Sequence, residues 1–395
     1  MKIDVAVIGA GPAGAWTAYS LATRGVRVTL IDPSHPREKP CGGGVTGRAL
    51  AIVGHALDGI HFSTREIQTA RFIDSRASRS ASICLAAPAS DAAPDLLVCS
   101  RARFDAALVA AARSAGAALV ESRVVDLVEE DSGFRIETRL GTLRAAFVIG
   151  ADGANSFVRR RVARPFRRDQ LSIATGFFAH GTTSDEIVIE LMADPPGYIW
   201  SFPRPDHLAI GICAQADSGI TVDTLRQMTA AWIEKTGLAC GATLQPYSWP
   251  IPSLGERDFG DLALDGPRWC LVGDAAGLVD PITREGIFFA LASAEWAADA
   301  LAHGSDPSTY ASRVRDEAVP ELARAARFKA IFFRPAFTAL MMDALQQSRA
   351  VRAVMADLVA GRQPYATLKW RLLKTFELGL AYRAIVNARS IRPAL

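Results

Sequence analysis

The stretch Ile3–Asp32, IDVAVIGAGPAGAWTAYSLATRGVRVTLID, decides the fold. Its opening run, Ile3–Ile8, is apolar and rich in β-branched residues, the composition of a buried strand. Gly9-Ala10-Gly11-Pro12-Ala13-Gly14 follows, then a helical stretch to about Arg24, then a second apolar run, Val26–Ile31, that ends in Asp32. Strand, glycine-rich turn, helix and second strand closed by an acid form the βαβ unit that holds a dinucleotide. Gly9 permits the tight turn, Gly11 lets the backbone approach a pyrophosphate, and Gly14 allows close helix–strand packing. Pro12 and Ala13 open a helix whose free N–H groups face the phosphates. Asp32 is placed to accept hydrogen bonds from a ribose.

A second string, Gly42-Gly43-Gly44-Val45-Thr46-Gly47, has the same glycine spacing. Pro33, Pro36 and Pro40 rule out a strand before it, so it reads as a flexible loop whose backbone can press against a flat ligand. Two distant segments supply further strand ends of the ligand-binding kind. Phe147–Ile149 runs into Gly150-Ala151-Asp152-Gly153, and Trp269–Val272 runs into Gly273-Asp274-Ala275-Ala276-Gly277, with a helix expected from about Glu285.

The chain has 395 residues, half of them hydrophobic and 22% charged, enough for two or three domains with a sizeable core. The net charge of +3 offers no footprint for nucleic acid, and none is expected as a partner. The six cysteines form no CxxC pair and the histidines no metal-ligand spacing, so no metal is expected and reduced thiols in a cytoplasmic protein are. His55, His61, His180, His207 and His303 are read as structural or exposed. His35 lies in the Pro-rich loop before Cys41 and is assigned no role. No signal peptide or transmembrane run is recognised.

Charge is uneven. From Glu321 onward 13 Arg or Lys stand against four acids, the last of them Glu377, and the same region is apolar from Phe328 to Met342. Such a segment can lie on an anionic membrane surface or pack as helices with a solvated basic face, and both readings stay open. In the middle of the chain Ile187–Leu191, Tyr198–Phe202 and His207–Ile212 read as strands, the last two joined by the turn Pro203–Asp206. Tyr198, Trp200 and Phe202 alternate, so their rings share one face and could wall an apolar cavity or fill the core.

At these motifs a resemblance becomes specific. GADGANSFVR (150–159), GDAAGLVDPITREGIFFAL (273–291) and Arg101-Ala102-Arg103-Phe104-Asp105 resemble the conserved motifs of glutathione-reductase-like and p-hydroxybenzoate-hydroxylase-like flavoproteins. Lys39-Pro40-Cys41-Gly42-Gly43-Gly44, Tyr198-Ile199-Trp200-Ser201-Phe202-Pro203 and the tail Ala360–Leu373 are similar to the geranylgeranyl reductases within that superfamily. The resemblance implies an α/β fold, α+β overall. It has a Rossmann-like FAD-binding domain with a parallel sheet (1–60, 95–165 and 255–305), an antiparallel substrate sheet (61–94 and 166–254) and a helical region (306–395).

The resemblance further implies FAD as cofactor. Its binding set is Gly9, Gly11, Pro12, Ala13, Gly14, Asp32, Cys41, Gly42, Gly43, Gly44, Arg101, Val125, Asp152, Gly153, Gly273, Asp274, Arg284, Gly286 and Ile287. Asp274 would take the ribityl chain, Arg101 the pyrophosphate or ribityl region, and the helix beyond Glu285 the flavin edge. Cys41, Tyr198 and Trp200 are the catalytic candidates, and Tyr198, Trp200 and Phe202 the substrate-binding ones. Cys41 would be the proton source for alkene reduction or a small residue packed beside the ring. Two departures stand out: Arg284 where the family has Gly, and Arg204 where it has Lys.

The implied activity is reduction of C=C bonds in a prenyl chain on a lipid, quinone or pigment. NADPH or a reduced redox protein would be the electron donor. The alternatives are a single-component monooxygenase or halogenase acting on a small molecule or a partner protein, and an electron-transfer flavoprotein. The expected partner is a hydrophobic prenylated molecule or lipid. Peripheral membrane contact through the basic C-terminal region and the oligomeric state are left open.

Overall fold

The structure, a computed structural model, describes residues 2–58, 62–85, 94–302 and 306–375. His61, His303 and the last twenty residues of the basic tail, Glu377 among them, lie outside the described residues. The βαβ unit forms as read: strand Lys2–Ile8, helix Pro12–Thr23 and strand Val28–Ile31. The helix is buried from Pro12 through Ala18 and again at Ser20 and Leu21. It has no polar face because it lies between the sheet and two further helices, Arg101–Ser114 and Ile287–Ala302.

The strands around it run parallel in the order Trp269–Leu271, Gly141–Gly150, Lys2–Ile8, Val28–Ile31, Ala118–Val120. In register, Ile8 lies beside both Ile31 and Gly150, and Gly150 beside Leu271. Four strands therefore end level, and the loops beginning at Gly9, Asp32, Ala151 and Val272 emerge along one edge. That edge is where an open parallel sheet receives its ligand. A hairpin, Val124–Glu130 and Gly133–Thr138, extends the sheet antiparallel to Gly141–Gly150.

A second sheet of seven strands takes the order Thr243–Pro252, Leu171–His180, His207–Gln215, Pro196–Pro203, Glu186–Ala193, Thr69–Asp74, Arg79–Cys84. All its pairs are antiparallel except Glu186–Ala193 with Thr69–Asp74. Strand His207–Gln215 is buried at eight successive residues, since both faces are covered, whereas the edge strand Arg79–Cys84 alternates in and out. The antiparallel sheet expected from the middle of the chain is thus present. Thr64–Glu66, however, does not join it. That strand pairs with Leu96–Cys99, which also pairs with Gly44–Thr46, in a separate three-stranded sheet.

Five helices between Pro307 and Leu373 follow among the described residues. Most of the apolar stretch expected for either membrane or core is turned inward. Phe333, Met341 and Met342 are buried, and Phe328, Phe332, Phe337 and Leu340 pack against a core shared with Phe72, Ile83 and Leu96. Ile331 is exposed. We propose the three-part division given by the sequence as the domain organisation, with the three-stranded sheet as the joint between its first two parts.

The tightest contact in the βαβ unit is at Gly14, where a Cβ would lie 1.7 Å from the Gly9 carbonyl oxygen. Gly14→Ala is expected to destabilise the flavin-free protein by about 3 kcal/mol, read as a lower urea midpoint.

Candidate active site

Two cavities of about 330 and 180 Å3 open along the shared strand edge. Both are lined by Pro12, Lys39, Arg101, Asp274 and Ala290, so they form one trench. The larger end is bounded by Gly11, Asp32 and Gly153; the smaller by Cys41, Phe202 and Gly286.

The glycines of the fingerprint separate by what surrounds them. Gly9 has φ +104°, and a Cβ there would meet the Ala151 carbonyl oxygen at 2.5 Å. Gly11 is different. It has φ −71°, open to any residue, and a Cβ would meet only His35 Nε2, at 3.7 Å. The protein itself does not require glycine at Gly11; close approach by a ligand to the N-terminus of the first helix does.

Asp32 is buried and held from several directions. It accepts from the N–H groups of Ala10 (3.0 Å), Ser34 (2.7 Å) and His35 (2.8 Å), and pairs with His35 Nδ1 at 2.8 Å. Burial opposes its ionisation, but the His35 ring and the backbone donors outweigh it and hold the carboxyl well below the usual range. His35 also places Nε2 3.6 Å from Asp105, so it bridges two acids. Sequence reasoning left His35 without a role, because its partners become visible only once the loop is folded.

The glycine-rich loop is pinned, not flexible. Gly44–Thr46 is a strand, and the Cys99 N–H donates to the Gly43 carbonyl at 3.0 Å. A Cβ on Gly42 would meet the Phe202 ring at 2.8 Å, and one on Gly43 the Cys99 carbonyl oxygen at 2.4 Å. These glycines are required by the protein side of the loop. A buried charge network holds the loop from behind. Arg204 is fully buried, donates to Glu38, and donates through Nη2 to the Cys41 carbonyl at 2.7 Å. Glu38 also accepts from the Arg101 N–H at 3.0 Å. The Arg101 guanidinium is buried and bidentate on Asp105, both bonds 2.9 Å. Nη1 of Arg101 and Nη2 of Arg204 approach Cys41 Sγ at 3.7 and 3.9 Å. Glu38 carried no local signal; its partners are 62 to 166 residues away.

The remaining expected residues divide. Asp274 accepts from Lys39 Nζ at 3.0 Å, and Gly286 lies close enough that a Cβ would stand 3.2 Å from Asp274 Oδ1. Gly153 and Gly273 adopt φ +81° and +57°. The helix begins at Ile287, two residues beyond expectation, with its first turn on the trench. Asp152 lines the larger cavity while its carboxylate accepts from the Phe157 and Val158 N–H groups at 2.6 and 3.1 Å.

Val125 is a correction: its side chain is 48% exposed, and Val124 lines the cavity instead, because neighbours on a strand point to opposite faces. Of the three alternating rings, Phe202 alone lines the trench. Trp200 is buried beside Tyr198, 5.5 Å between ring centroids, and the Tyr198 hydroxyl donates to the Thr283 carbonyl at 3.0 Å. Both stand one layer behind the trench, so the expected catalytic contact of Tyr198 and Trp200 is not carried forward. Leu96, Ile251, Leu358 and Val359 line it without having been anticipated. Among the described residues no group of three or more His, Cys, Asp or Glu could hold a metal.

The trench fits FAD: one end offers a helix N-terminus open at Gly11 beside an ionised acid, the other a glycine-lined slot beside a second helix N-terminus. A family described as an FAD binding domain matches residues 2–305. The geranylgeranyl diphosphate reductase of Rhodobacter capsulatus is 30% identical over 326 residues, covering 76% of this chain and 75% of that protein. The digeranylgeranylglycerophospholipid reductase of Methanothrix thermoacetophila is 29% identical over 366 residues, 85% of this chain and 88% of the other. Among solved structures, a geranylgeranyl bacteriochlorophyll reductase-like protein from Thermoplasma acidophilum superposes with a TM-score of 0.75 at 24% identity, covering 95% of this chain and 99% of that one. The flavin-dependent brominase Bmp2 gives 0.71 at 21% identity, covering 95% and 99%. The two structures share the fold.

Gly11→Val is expected to leave the unfolding free energy of the flavin-free protein within about 1 kcal/mol of wild type while abolishing bound flavin, read by absorbance and denaturation. A carboxyl held low stabilises the folded state above its unfolded value, about 3.9, and that stability is lost as pH falls below it. Asp32→Asn is therefore expected to cost about 2 kcal/mol at pH 7 and to flatten the loss of stability below about pH 4, read by thermal unfolding of the flavin-free protein.

Proposed function

The chain belongs to the geranylgeranyl reductase family of FAD-dependent oxidoreductases, and from that premise we propose that it saturates C=C bonds in a prenyl chain carried by a lipid, quinone or pigment. The observation that carries this reading is the wall of the smaller cavity. Leu96, Phe202, Ile251, Val279, Leu358 and Val359 give it an apolar stretch, on a lining that also carries Lys39, Arg101, Asp274, Arg284 and Glu285 and includes Cys41 and the glycine loop. A hydrocarbon chain gains from such a wall roughly 0.8 kcal/mol per buried CH2.

The reduced flavin, when bound, supplies a hydride. The residues of the chain do the rest. Gly9–Gly14, Asp32 and the first helix hold the dinucleotide end, and Lys39, Asp274 and the turn at Gly286 hold the flavin end. Cys41 is proposed to give the second hydrogen, as a proton, to the alkene carbon that does not receive the hydride. Arg101 and Arg204, at 3.7 and 3.9 Å from Sγ, stabilise the thiolate left behind until solvent returns the proton. The apolar wall keeps bulk water from the reacting carbons. The donor that reduces the flavin is proposed to be NADPH or a reduced redox protein docking transiently.

No helix among the described residues is long and apolar enough to cross a membrane. A lipid substrate would instead be met at a surface. Ile331, Trp370 and Leu373 are exposed on helices that also carry Lys and Arg, and we propose them as the peripheral contact.

The test is anaerobic. Flavin-loaded protein is reduced with dithionite and mixed with geranylgeranyl diphosphate or a prenyl-lipid extract, and flavin reoxidation is followed with product mass. A gain of two hydrogens per flavin oxidised is expected. Reoxidation only on admission of oxygen, with an oxygen or halogen atom added to a product, would replace this reading by the monooxygenase or halogenase one. Cys41→Ser is expected to keep FAD and to slow the single-turnover reoxidation by prenyl substrate at least about tenfold; an unchanged rate would leave Cys41 a packing residue.

A further inference from the structure

Arg284 stands where the resembled family has glycine, and its backbone still adopts the left-handed conformation, φ +61°, that suits glycine. That conformation is unfavourable for any residue with a Cβ. Arg284 lines the smaller cavity beside Gly286, and its guanidinium donates through Nη1 to Ser253 Oγ. Its Nε is buried without a partner.

Behind it, Lys329 reaches in from the helix Val319–Phe332. Nζ donates to Ser253 Oγ and to Gln215 Oε1, each at 2.7 Å. Ser253 is fully buried and donates in turn to Gln215 Oε1 at 3.0 Å. Two cations thus converge on one neutral hydroxyl. Among the described residues neither makes an ion pair with a carboxylate within 4.0 Å. Placing two like charges on one hydroxyl, partly out of water and without a paired acid, is unfavourable unless negative charge arrives.

We propose that Lys329, acting through Ser253, positions Arg284 as the cationic partner of the negative charge that a two-electron-reduced flavin brings to this cavity. This rests on the FAD reading. Arg284 is the contact and Lys329 a positioning residue. Arg284 then adds a full charge to the helix dipole that already faces the slot from Ile287 onward.

The titration of Lys329 supports the geometry. The groups that face it are Arg284 on the loop, Cys213 on strand His207–Gln215, Asp217 in the turn after it and Asp258 in the turn Glu256–Asp261. Arg327 on the same helix is engaged by Glu256. Burial first, and then the Arg284 charge, push the ammonium down to about 7. The second cation is therefore complete below neutral pH and lost above it.

The experiment measures the flavin midpoint potential of the flavin-loaded protein at pH 6 and pH 8.5 in wild type, Lys329→Met, Arg284→Gly and the double variant. At pH 6, Lys329→Met is expected to lower the reduced-to-oxidised ratio at a fixed potential by about tenfold. The effect should shrink at pH 8.5, and Ser253→Ala should reproduce it. In the Arg284→Gly background, Lys329→Met should add little. An unmoved potential in Lys329→Met and Ser253→Ala, with flavin still stoichiometric, would overturn the inference. So would a full Lys329 effect in the absence of Arg284. If Lys329→Met fails to fold, Lys329→Gln is measured against the same expectations. A wild-type protein that takes up no flavin at all would instead overturn the cofactor reading, and this inference with it, before any titration.

Discussion

The contact on which the site most depends is the buried junction of Glu38, Arg204 and Arg101. Arg204 comes from the turn that closes a hairpin of the antiparallel sheet, Arg101 from the first turn of a helix in the parallel domain, and Glu38 from the loop between strands Val28–Ile31 and Gly44–Thr46. A fully buried guanidinium is tolerable only with a carboxylate and further acceptors around it. Glu38 and the Cys41 carbonyl meet that demand, and in doing so fix the loop Lys39–Gly44 in space. The floor of the slot and the position of the Cys41 thiol follow from it. Removing Glu38 would leave the Arg204 charge buried without its carboxylate, which is costlier than the pair itself is favourable.

Around that junction the two sheets divide the work. The parallel sheet brings four strand ends level and so gathers Gly9–Gly14, Asp32, Gly153 and Asp274 on one edge through backbone pairing. The antiparallel sheet supplies a wall. Its strand Pro196–Pro203 turns Phe202 to the trench and packs Trp200 and Tyr198 behind it, so the wall is backed by packed rings and not by solvent. The C-terminal helices complete the enclosure. Leu358 and Val359 touch the trench from one of them, and Lys329 reaches the Arg284 cluster from another.

What could be read from the chain alone was local. The βαβ unit was legible because strand, turn, helix and terminal acid are contiguous in thirty-two residues, and the family-like motifs at Asp152 and Asp274 each sit at a strand end. What escaped has physical reasons. Val125 is named from the sequence and Val124 lines the cavity, because a strand's facing is decided by its pairing, which a single position does not carry. Tyr198 and Trp200 alternate with Phe202 as expected, yet a shared face is not a shared cavity: Gly211 beneath Trp200 lets that ring sink, its Cζ2 only 2.5 Å from where a Cβ would be. The glycine loop was read as free because its tether, Arg204, is more than 160 residues away. His35, Glu38, Leu358 and Lys329 gain their roles from neighbours that only the folded chain brings to them.

The measurement that tests this account most directly is an experimental structure of the protein with FAD bound. The account predicts the dinucleotide along the trench, with its pyrophosphate against the backbone of Gly11–Gly14 and its flavin between Cys41–Gly44 and Gly286, Arg284 within reach of the ring. A flavin seated elsewhere, or a glycine loop withdrawn from Arg204 and Glu38 when the flavin is in place, would contradict it.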